Sequence, residues 1–350
     1  MWVKNFFTHR GGSTIHFCIH RYACRDAGKG GHMNKYLAAT AVVLASALPA
    51  LAEYPERPIN MIVAYSAGGG TDIAARTLAP FVEKYLGEDA SIVVLNRAGA
   101  GGEIGFTELA QAEPDGYTIG FVNTPNLLTI PIQRDARYSL ESFRPIANVV
   151  EDPGAFSFLP DSGIETFDDM IAYAKENPGK LTYGTTGLGS DDHLSALQFE
   201  RLTGVELKHV PFPGNADVRT AVLGGHVMMA SMNISETIAD VHEGKLHALG
   251  QMAEERWDGA PDVATFGEQG YDVIMGSQRG LAAPAGVDDE IIAKLEAAVK
   301  SAIDDPEFQE KAKQQHLPLA FMSSDAFLTN LQAQTETYKA LWEKTPWVQE

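Results

Sequence analysis

The chain has 350 residues, 45% of them hydrophobic, and a formal net charge of −19 at pH 7. This length and apolar content suffice for two domains of ordinary size, each with its own core. The acidic balance disfavours proteins that bind nucleic acid or anionic membranes through a basic surface. We therefore predict no nucleic-acid partner.

The first 52 residues differ in character from the rest. Met33-Asn-Lys35 opens a short charged start, Tyr36 to Leu48 is an apolar run, and Ala50-Leu-Ala52 supplies small residues. This order is typical of a secretory signal. The apolar run is shorter than the roughly 18–20 residues of a membrane span, although a retained anchor helix is the alternative. We therefore predict a signal peptide at residues 33–52, cleaved near Ala52, and a periplasmic protein.

Residues 1–32 show no hydrophobic pattern, and we interpret them as a mis-annotated extension upstream of a start at Met33. Both cysteines, Cys18 and Cys24, lie in this stretch. The mature chain would then have no thiol for catalysis or for a cysteine zinc site. Because the first 52 residues carry six Lys or Arg and one Asp, their removal takes the formal net charge from −19 to −24.

Beyond residue 53, strands and helices alternate. Hydrophobic periodicity and glycine turns predict, in order, a strand at 59–65, a helix at 73–86, a strand at 92–95, a helix ending at Ala110 and a strand at 117–123. Strand, glycine turn, helix and strand in this order predict a parallel sheet with crossover helices.

The middle of the chain repeats this alternation. It predicts a helix at 167–176, a strand at 181–185, a helix at 193–202, a strand at 206–210, a helix beginning near Ala216, a strand at 227–232, and helices at 288–302 and 306–315. Two apolar stretches interrupted by Pro or Gly, at 146–160 and 271–284, are interpreted as crossings between two α/β domains. We predict residues 54–153 plus 272–350 as a discontinuous first domain and 154–271 as the second.

A series of short segments then carries a family resemblance. In chain order they are Tyr54-Pro-Glu-Arg-Pro-Ile59, Ala64-Tyr-Ser-Ala-Gly-Gly-Gly-Thr-Asp72, Asn96-Arg-Ala-Gly-Ala-Gly-Gly102, Pro114-Asp-Gly-Tyr-Thr118, Asn177-Pro-Gly-Lys-Leu181, Gly187-Leu-Gly-Ser190, Val210-Pro-Phe-Pro-Gly214, Leu223-Gly-Gly225 and Arg279-Gly-Leu-Ala-Ala-Pro284. Together they resemble the Bug-type substrate-binding proteins of tripartite tricarboxylate transporters. The resemblance implies a two-domain α/β periplasmic-binding-protein-like fold with a ligand cleft between domains joined by two crossing strands. It also implies a small organic acid (mono-, di- or tricarboxylate) as ligand and membrane permease subunits as partners. We expect a monomer without a cofactor.

Two departures from the family pattern concern the ligand. The first loop carries Ala64 and Ser66 where prolines are common, and Phe212-Pro213-Gly214 replaces an aromatic-Lys-Gly. The second change removes a cation from the expected mouth of the cleft.

The first glycine loop is the main candidate site. It lies between a predicted strand and helix, where glycines admit a close approach and free N–H groups favour an anion. A tight turn with a helix cap is the alternative. The resemblance implies that this loop holds a carboxylate, partly through ordered water. The candidate residues are Tyr65, Ser66, Ala67, Gly69, Gly70, Thr71 and Asp72.

The remaining candidates lie at strand ends, in further loops and on a crossing strand. They are Asn123, Thr124, Ser190, His193, Gly214, Asn215 and Arg279. Capping, turn formation and, for Arg279, pairing with an acidic residue are the alternatives. No metal site is expected. No catalytic motif is present, so we predict no enzyme; an exported α/β hydrolase using Ser190 and His193 is the alternative function.

The first prediction concerns processing. We expect the exported protein to begin at or near Glu53, because the small residues of Ala50-Leu-Ala52 follow a short apolar run. N-terminal sequencing of protein exported by its own host measures this directly. Recovery of Cys18 or Cys24 in the mature product would contradict it.

Overall fold

The computed structural model of the chain describes residues 54–348. The predicted upstream extension and signal peptide therefore lie outside the described residues. These described residues belong to one compact unit.

The described part of the chain contains one mixed sheet of ten strands. These are β1 (Ile59–Val63), β2 (Ile92–Asn96), β3 (Thr118–Asn123), β4 (Phe143–Phe158), β5 (Thr182–Thr185), β6 (Lys208–Pro211), β7 (Met229–Asn233), β8 (His247–Gln251), β9 (Gly276–Pro284) and β10 (Leu319–Ser323).

Ten α-helices accompany the strands within residues 54–348. They are α1 (Gly70–Leu86), α2 (Glu103–Ala110), α3 (Asn126–Gln133), α4 (Phe167–Glu176), α5 (Asp191–Thr203), α6 (Asn215–Leu223), α7 (Ile234–His242), α8 (Asp289–Asp304), α9 (Pro306–Gln314) and α10 (Ser324–Lys344). None of the described helices combines the length and apolar character of a membrane span.

The long strand β4 joins the two halves of the sheet. The strand order is β2-β1-β3-β9-β4-β7-β5-β6, and β8 and β10 also pair with β4. Residues Phe143 to Pro153 of β4 pair antiparallel with β9, whereas Gly154 to Phe158 pair antiparallel with β7 and, in part, with β8. One strand thus carries the chain from one half to the other. The predicted domain boundaries near 153 and 271 stay a prediction.

Most predicted elements are confirmed. β1 pairs in parallel with β2 and β3, and β5 pairs in parallel with β6 and β7, as crossover connections require. The predicted helix at 167–176 matches α4, and α1 begins three residues earlier than predicted, at Gly70. Five elements are not predicted from the sequence, namely α3, α7, β8, β10 and α10.

Two hydrophobic cores flank the crossing. Around β1, β3 and β9, the helices α1 and α8 bury side chains such as Leu78 and Leu295. In the second half, Phe156, Phe199 and Phe266 pack edge to face with centroids 5.2–6.3 Å apart. Each such buried aromatic contributes on the order of 1.5–3 kcal/mol through area removed from water. Both halves therefore have their own apolar support.

Helix α2 approaches the end of β1 more closely than a side chain would permit. A Cβ placed on Gly105 would lie 2.7 Å from Ala64 Cα and 3.1 Å from the Arg97 carbonyl oxygen. Ala64 is the last residue before the first glycine loop. The glycine on α2 therefore fixes the position from which that loop departs.

We predict that Gly105→Ala destabilises the protein. The added methyl meets backbone atoms that cannot rotate away, and such overpacking costs about 1–3 kcal/mol. The gain in helix propensity offsets at most about 1 kcal/mol of this. Urea unfolding of the mature chain measures the change. Gly267→Ala is the matched control because its Cβ would meet its nearest atom at 3.7 Å. Equal stability of the two variants would contradict the prediction.

Candidate functional site

The N-termini of two helices lie close together in the described structure. Helix α1 starts after Gly69, and α6 starts after Gly214; neither cap residue satisfies the helix with a side chain. A Cβ on Gly69 would lie 3.6 Å from the Ala216 nitrogen and 3.8 Å from the Asn215 nitrogen. Because first-turn N–H groups are unpaired within a helix and carry its positive dipole end, this point favours a negative charge.

A carboxylate of the protein itself occupies this point. The Gly70 backbone N–H donates to Glu236 Oε1 at 2.5 Å, and Asn215 Nδ2 donates to Glu236 Oε2 at 2.6 Å. A Cβ on Gly70 would lie 2.7 Å from both Glu236 Oε1 and Arg279 Nη1, so any larger residue there would displace one of these side chains. Glu236, from α7, thereby connects α1 in the first half with α6 in the second.

Arg279 is the cation that contacts the Glu236 carboxylate. Its side chain is 2% exposed; Nη1 lies 2.8 Å from Asp152 Oδ2 and Nη2 lies 3.3 Å from Glu236 Oε2. Nη2 also donates to Asn233 Oδ1 at 2.8 Å. Pairing with acidic residues, one of the two expectations for this arginine, is therefore observed. Ion pairs and one hydrogen bond thus engage the guanidinium, although its buried Nη1 makes no hydrogen bond within the described residues.

Carboxylates outnumber cations in this region. Asp191 accepts from Asn233 Nδ2 at 2.7 Å and lies near the Asp152–Arg279–Glu236 group. Burial raises the pKa of both Asp152 and Asp191 to about 6, although Arg279 acts in the opposite direction on each. Three acidic side chains thus surround one guanidinium.

The cavity at this point measures about 20 Å³, which is room for about one water molecule. Seven of the predicted residues line it: Tyr65, Gly69, Gly70, Thr71, Asn123, Asn215 and Arg279. Six lining residues escape the sequence analysis: Asn126, Thr186, Asp191, Asn233, Glu236 and Ser277. A small organic acid would require the two halves to separate before it could enter.

Two amide oxygens in the cavity have no donor. Asn123 and Asn215 are 5% and 7% exposed, and neither Oδ1 accepts a hydrogen bond from any described residue. The orientation of the Asn215 amide is fixed, because only its nitrogen can face the Glu236 carboxylate. Asn123 Nδ2 donates to Thr71 Oγ1 at 2.8 Å. Both carbonyl oxygens are therefore free to accept from a bound molecule.

The other predicted residues of the first loop and its surroundings lie outside the lining. Asp72 accepts from the Gly68 N–H, from Arg76 and from Asn96, so it orders the loop. Ala67 is exposed, and Ser66 packs against Gly214, whose Cβ would lie 2.8 Å from the Ser66 nitrogen.

Thr124 lines a second, more open cavity of about 680 Å³ with Gln278 and Tyr338 among its walls. Its hydroxyl accepts from the Gln278 N–H at 3.2 Å.

Ser190 and His193 make local hydrogen bonds at the start of α5. Ser190 Oγ caps α5 by accepting from the His193 backbone N–H at 3.2 Å, and His193 Nδ1 accepts from the Gly189 N–H at 3.1 Å. Burial, together with the stacked ring of His209, lowers the pKa of His193 to about 3. The imidazole is neutral and does not face the serine hydroxyl as a general base, so this geometry offers no support to the hydrolase alternative.

Residues 54–348 contain no group of three or more His, Cys, Asp or Glu side chains arranged to hold a metal ion. The acidic side chains of the cavity are instead satisfied by Arg279 and by amide and hydroxyl donors.

We predict that Ser190→Ala acts on stability and leaves ligand affinity unchanged. Loss of a helix N-cap costs about 1 kcal/mol, and Ser190 does not line the cavity. Chemical unfolding and calorimetric titration separate the two effects. Ser323→Ala, which removes the equivalent cap of the distant α10, is the control. A lost affinity with unchanged stability would instead make Ser190 a ligand contact.

The chain is similar to proteins of a known family. Residues 74–346 match the family described as Tripartite tricarboxylate transporter family receptor. A relative from Cupriavidus necator, named UPF0065 protein in gbd 5'region, is 35% identical over 88% of this chain and 94% of its own length.

Two solved structures are similar in fold. The periplasmic binding protein BugD is 31% identical with a TM-score of 0.78, over 83% of this chain and 98% of its own. MatC from Rhodopseudomonas palustris, solved with bound malate, is 27% identical with a TM-score of 0.77, over 82% of this chain and 99% of its own. These neighbours confirm the α/β periplasmic-binding-protein-like fold, and they are solute-binding proteins rather than enzymes. The chain described here belongs to the tripartite tricarboxylate transporter receptor family of solute-binding proteins.

Proposed function

We propose that this receptor captures a small organic acid outside the cytoplasm, closes around it, and delivers it to the permease subunits of a tripartite transporter. Family membership supports the transporter as partner, and malate bound to MatC supports a carboxylate ligand. We further propose a periplasmic monomer released by cleavage near Ala52, as the signal-like segment suggests.

The meeting of two helix N-termini carries this proposal. Glu236 already demonstrates that a carboxylate fits against the Gly70 N–H and the Asn215 amide. We infer that a ligand carboxylate takes over these donors and that Glu236 withdraws when the cleft opens. The first loop would thus bind the ligand, together with Asn215 across the cleft.

Backbone and amide N–H donors at the two helix N-termini suffice to bind a ligand carboxylate without a free cation. Charge-assisted hydrogen bonds contribute roughly 1.5–3 kcal/mol each, and a helix N-terminus adds about 0.3–1 kcal/mol. Three or four such contacts approach the roughly 8 kcal/mol of micromolar binding, before the cost of ordering. Arg279 contributes indirectly, because it holds Glu236 and Asn233 at the cavity wall.

Closure is part of the proposed mechanism. The cavity of about 20 Å³ admits no organic acid, so the two halves must separate for entry. Strands β4 and β9 connect the halves, and we propose that they bend where Pro153 pairs with Gly276. The boundaries near 153 and 271 would then mark the hinge.

Ligand-induced stabilisation tests this function. At a hundredfold excess over its dissociation constant, a ligand should raise the free energy of unfolding by about 2.7 kcal/mol. A thermal-shift screen of organic acids on the mature chain measures this, and mass spectrometry should recover each ligand unchanged. If no organic acid stabilises the protein, or if the acid is consumed, the proposal is wrong.

Gly69→Val tests the location of the site. Its branched side chain would project towards the first N–H groups of α6, only 3.6–3.8 Å from the added Cβ, and should abolish binding. Ala67→Val is the matched control, because this exposed residue of the same loop does not line the cavity. Normal affinity in Gly69→Val would place the ligand elsewhere.

A further inference from the structure

The second glycine loop, residues 187–189, belongs to the second half of the structure but lies against the first half. It connects β5 to α5. A Cβ on Gly187 would lie 3.2 Å from the Cα of Gly101, which immediately precedes α2 in the first half. The Gly189 carbonyl accepts from Thr129 Oγ1 at 2.7 Å, and Thr129 is a fully buried residue of α3. The loop therefore contacts the first half at two points.

Trp347 covers the same loop from the C-terminal side of α10. This residue is 3% exposed, and its Nε1 donates to Gln133 Oε1, on α3, at 3.1 Å. A Cβ on Gly189 would lie 3.0 Å from the indole nitrogen and 2.9 Å from Thr129 Oγ1. Trp347 also lines a cavity of about 270 Å³ together with Leu194 of α5. An indole anchored on the first half thus packs against the loop of the second.

These contacts lie apart from the ligand cavity. Thr129, Gly189 and Trp347 do not line it, so they cannot distinguish one organic acid from another by contact. Because they join residues of opposite halves, the contacts are lost when the halves separate. The free energy that they add to the closed arrangement therefore acts equally on every ligand that requires closure.

We propose, on the basis of the proposed function, that Thr129 and Trp347 are positioning residues that clamp the second glycine loop against the first half. The clamp stabilises the closed receptor and slows the release of any bound acid. Gly189 is required at the centre of the clamp, because its φ of +77° favours glycine and the two clamping side chains fill the space beside it.

Hydrogen exchange on the ligand-free mature chain tests the clamp. The Gly70 amide is bonded to Glu236 across the two halves, so it exchanges with solvent when they separate. Thr129→Val keeps a side chain of similar size and removes the donor to the Gly189 carbonyl. NMR should therefore show Gly70 exchanging about fivefold faster, the factor expected for one ordinary hydrogen bond. Thr129→Ser retains the hydroxyl and should exchange at the rate of the unaltered chain.

A matched valine substitution controls for the loss of a hydroxyl. Thr335→Val removes a hydroxyl that bonds to a backbone carbonyl within α10 and does not join the halves. It should leave the exchange of Gly70 unchanged. Equal exchange rates in Thr129→Val and Thr335→Val would overturn the clamp.

A pair of glycine variants tests the centre of the clamp independently. Gly189→Ala and Gly204→Ala introduce similar backbone strain, at φ of +77° and +69°, but a Cβ on Gly204 meets no atom within 4 Å. Exchange of Gly70 should therefore rise in Gly189→Ala and stay unchanged in Gly204→Ala. Equal rates in these two variants would also count against the clamp.

Release kinetics connect the clamp with ligand binding. With malate and succinate as probes, Thr129→Val should release both acids about fivefold faster, and Trp347→Phe should change release in the same direction. The factor should be the same for both acids, because neither residue lines the ligand cavity. Trp257→Phe is the control, since its ring packs within the second half. Unchanged release, or a factor that differs between the acids, would overturn the assigned role.

The outcomes separate this proposal from the proposed function. If no organic acid binds in the thermal-shift screen, the proposed function is wrong, and the exchange of Gly70 still decides the clamp. If acids bind but Gly70 exchanges no faster in Thr129→Val, the clamp is wrong and the carboxylate receptor stands.

Discussion

The buried guanidinium of Arg279 is the constraint on which the site depends. An isolated charge in a protein interior costs several kcal/mol, and this one is offset by Asp152, Glu236 and Asn233. Asp152 and Arg279 lie on the two crossing strands, so their ion pair ties β4 to β9 where the halves meet. Glu236 extends the same network to the N-terminus of α1. In the proposed opening of the cleft, Glu236 would exchange its partners, while the Asp152–Arg279 pair would persist between the crossing strands.

Local dipoles determine charge selectivity here, because the net charge of the whole chain works against an anion. Opposed helix N-termini create a small positive region inside an acidic protein. The field is short-ranged and screened beyond about 8–10 Å in physiological salt. An acidic surface of this kind does not steer an anion towards the cleft, so specificity must arise from contacts made after entry.

Much of the fold follows from the sequence because the strand–glycine–helix pattern is local. The missed elements lack such a pattern. Helix α10 buries only Ser324, Phe327 and Leu331 among its 21 residues, so its apolar stripe is too narrow to recognise. Strand β10 is half-buried along its whole length and shows no alternation. Both depend on packing against β4, which is distant in sequence.

The residues of the site likewise fall into those that the local sequence predicts and those that it does not. The first loop could be predicted because a run of glycines is recognisable in the local sequence. Asn123 could be predicted because it ends a predicted strand. Asn233 carries the same strand-end signal, and the criterion that selects Asn123 would also have found it. Glu236 has no such signal: an acidic residue in the first turn of a helix is what the helix dipole alone favours. Its role arises only because β7 and β9 meet at β4 and bring Glu236, Arg279 and Gly70 within contact distance. Ligand chemistry in this receptor is therefore a property of the topology, and the glycine loop alone does not determine it.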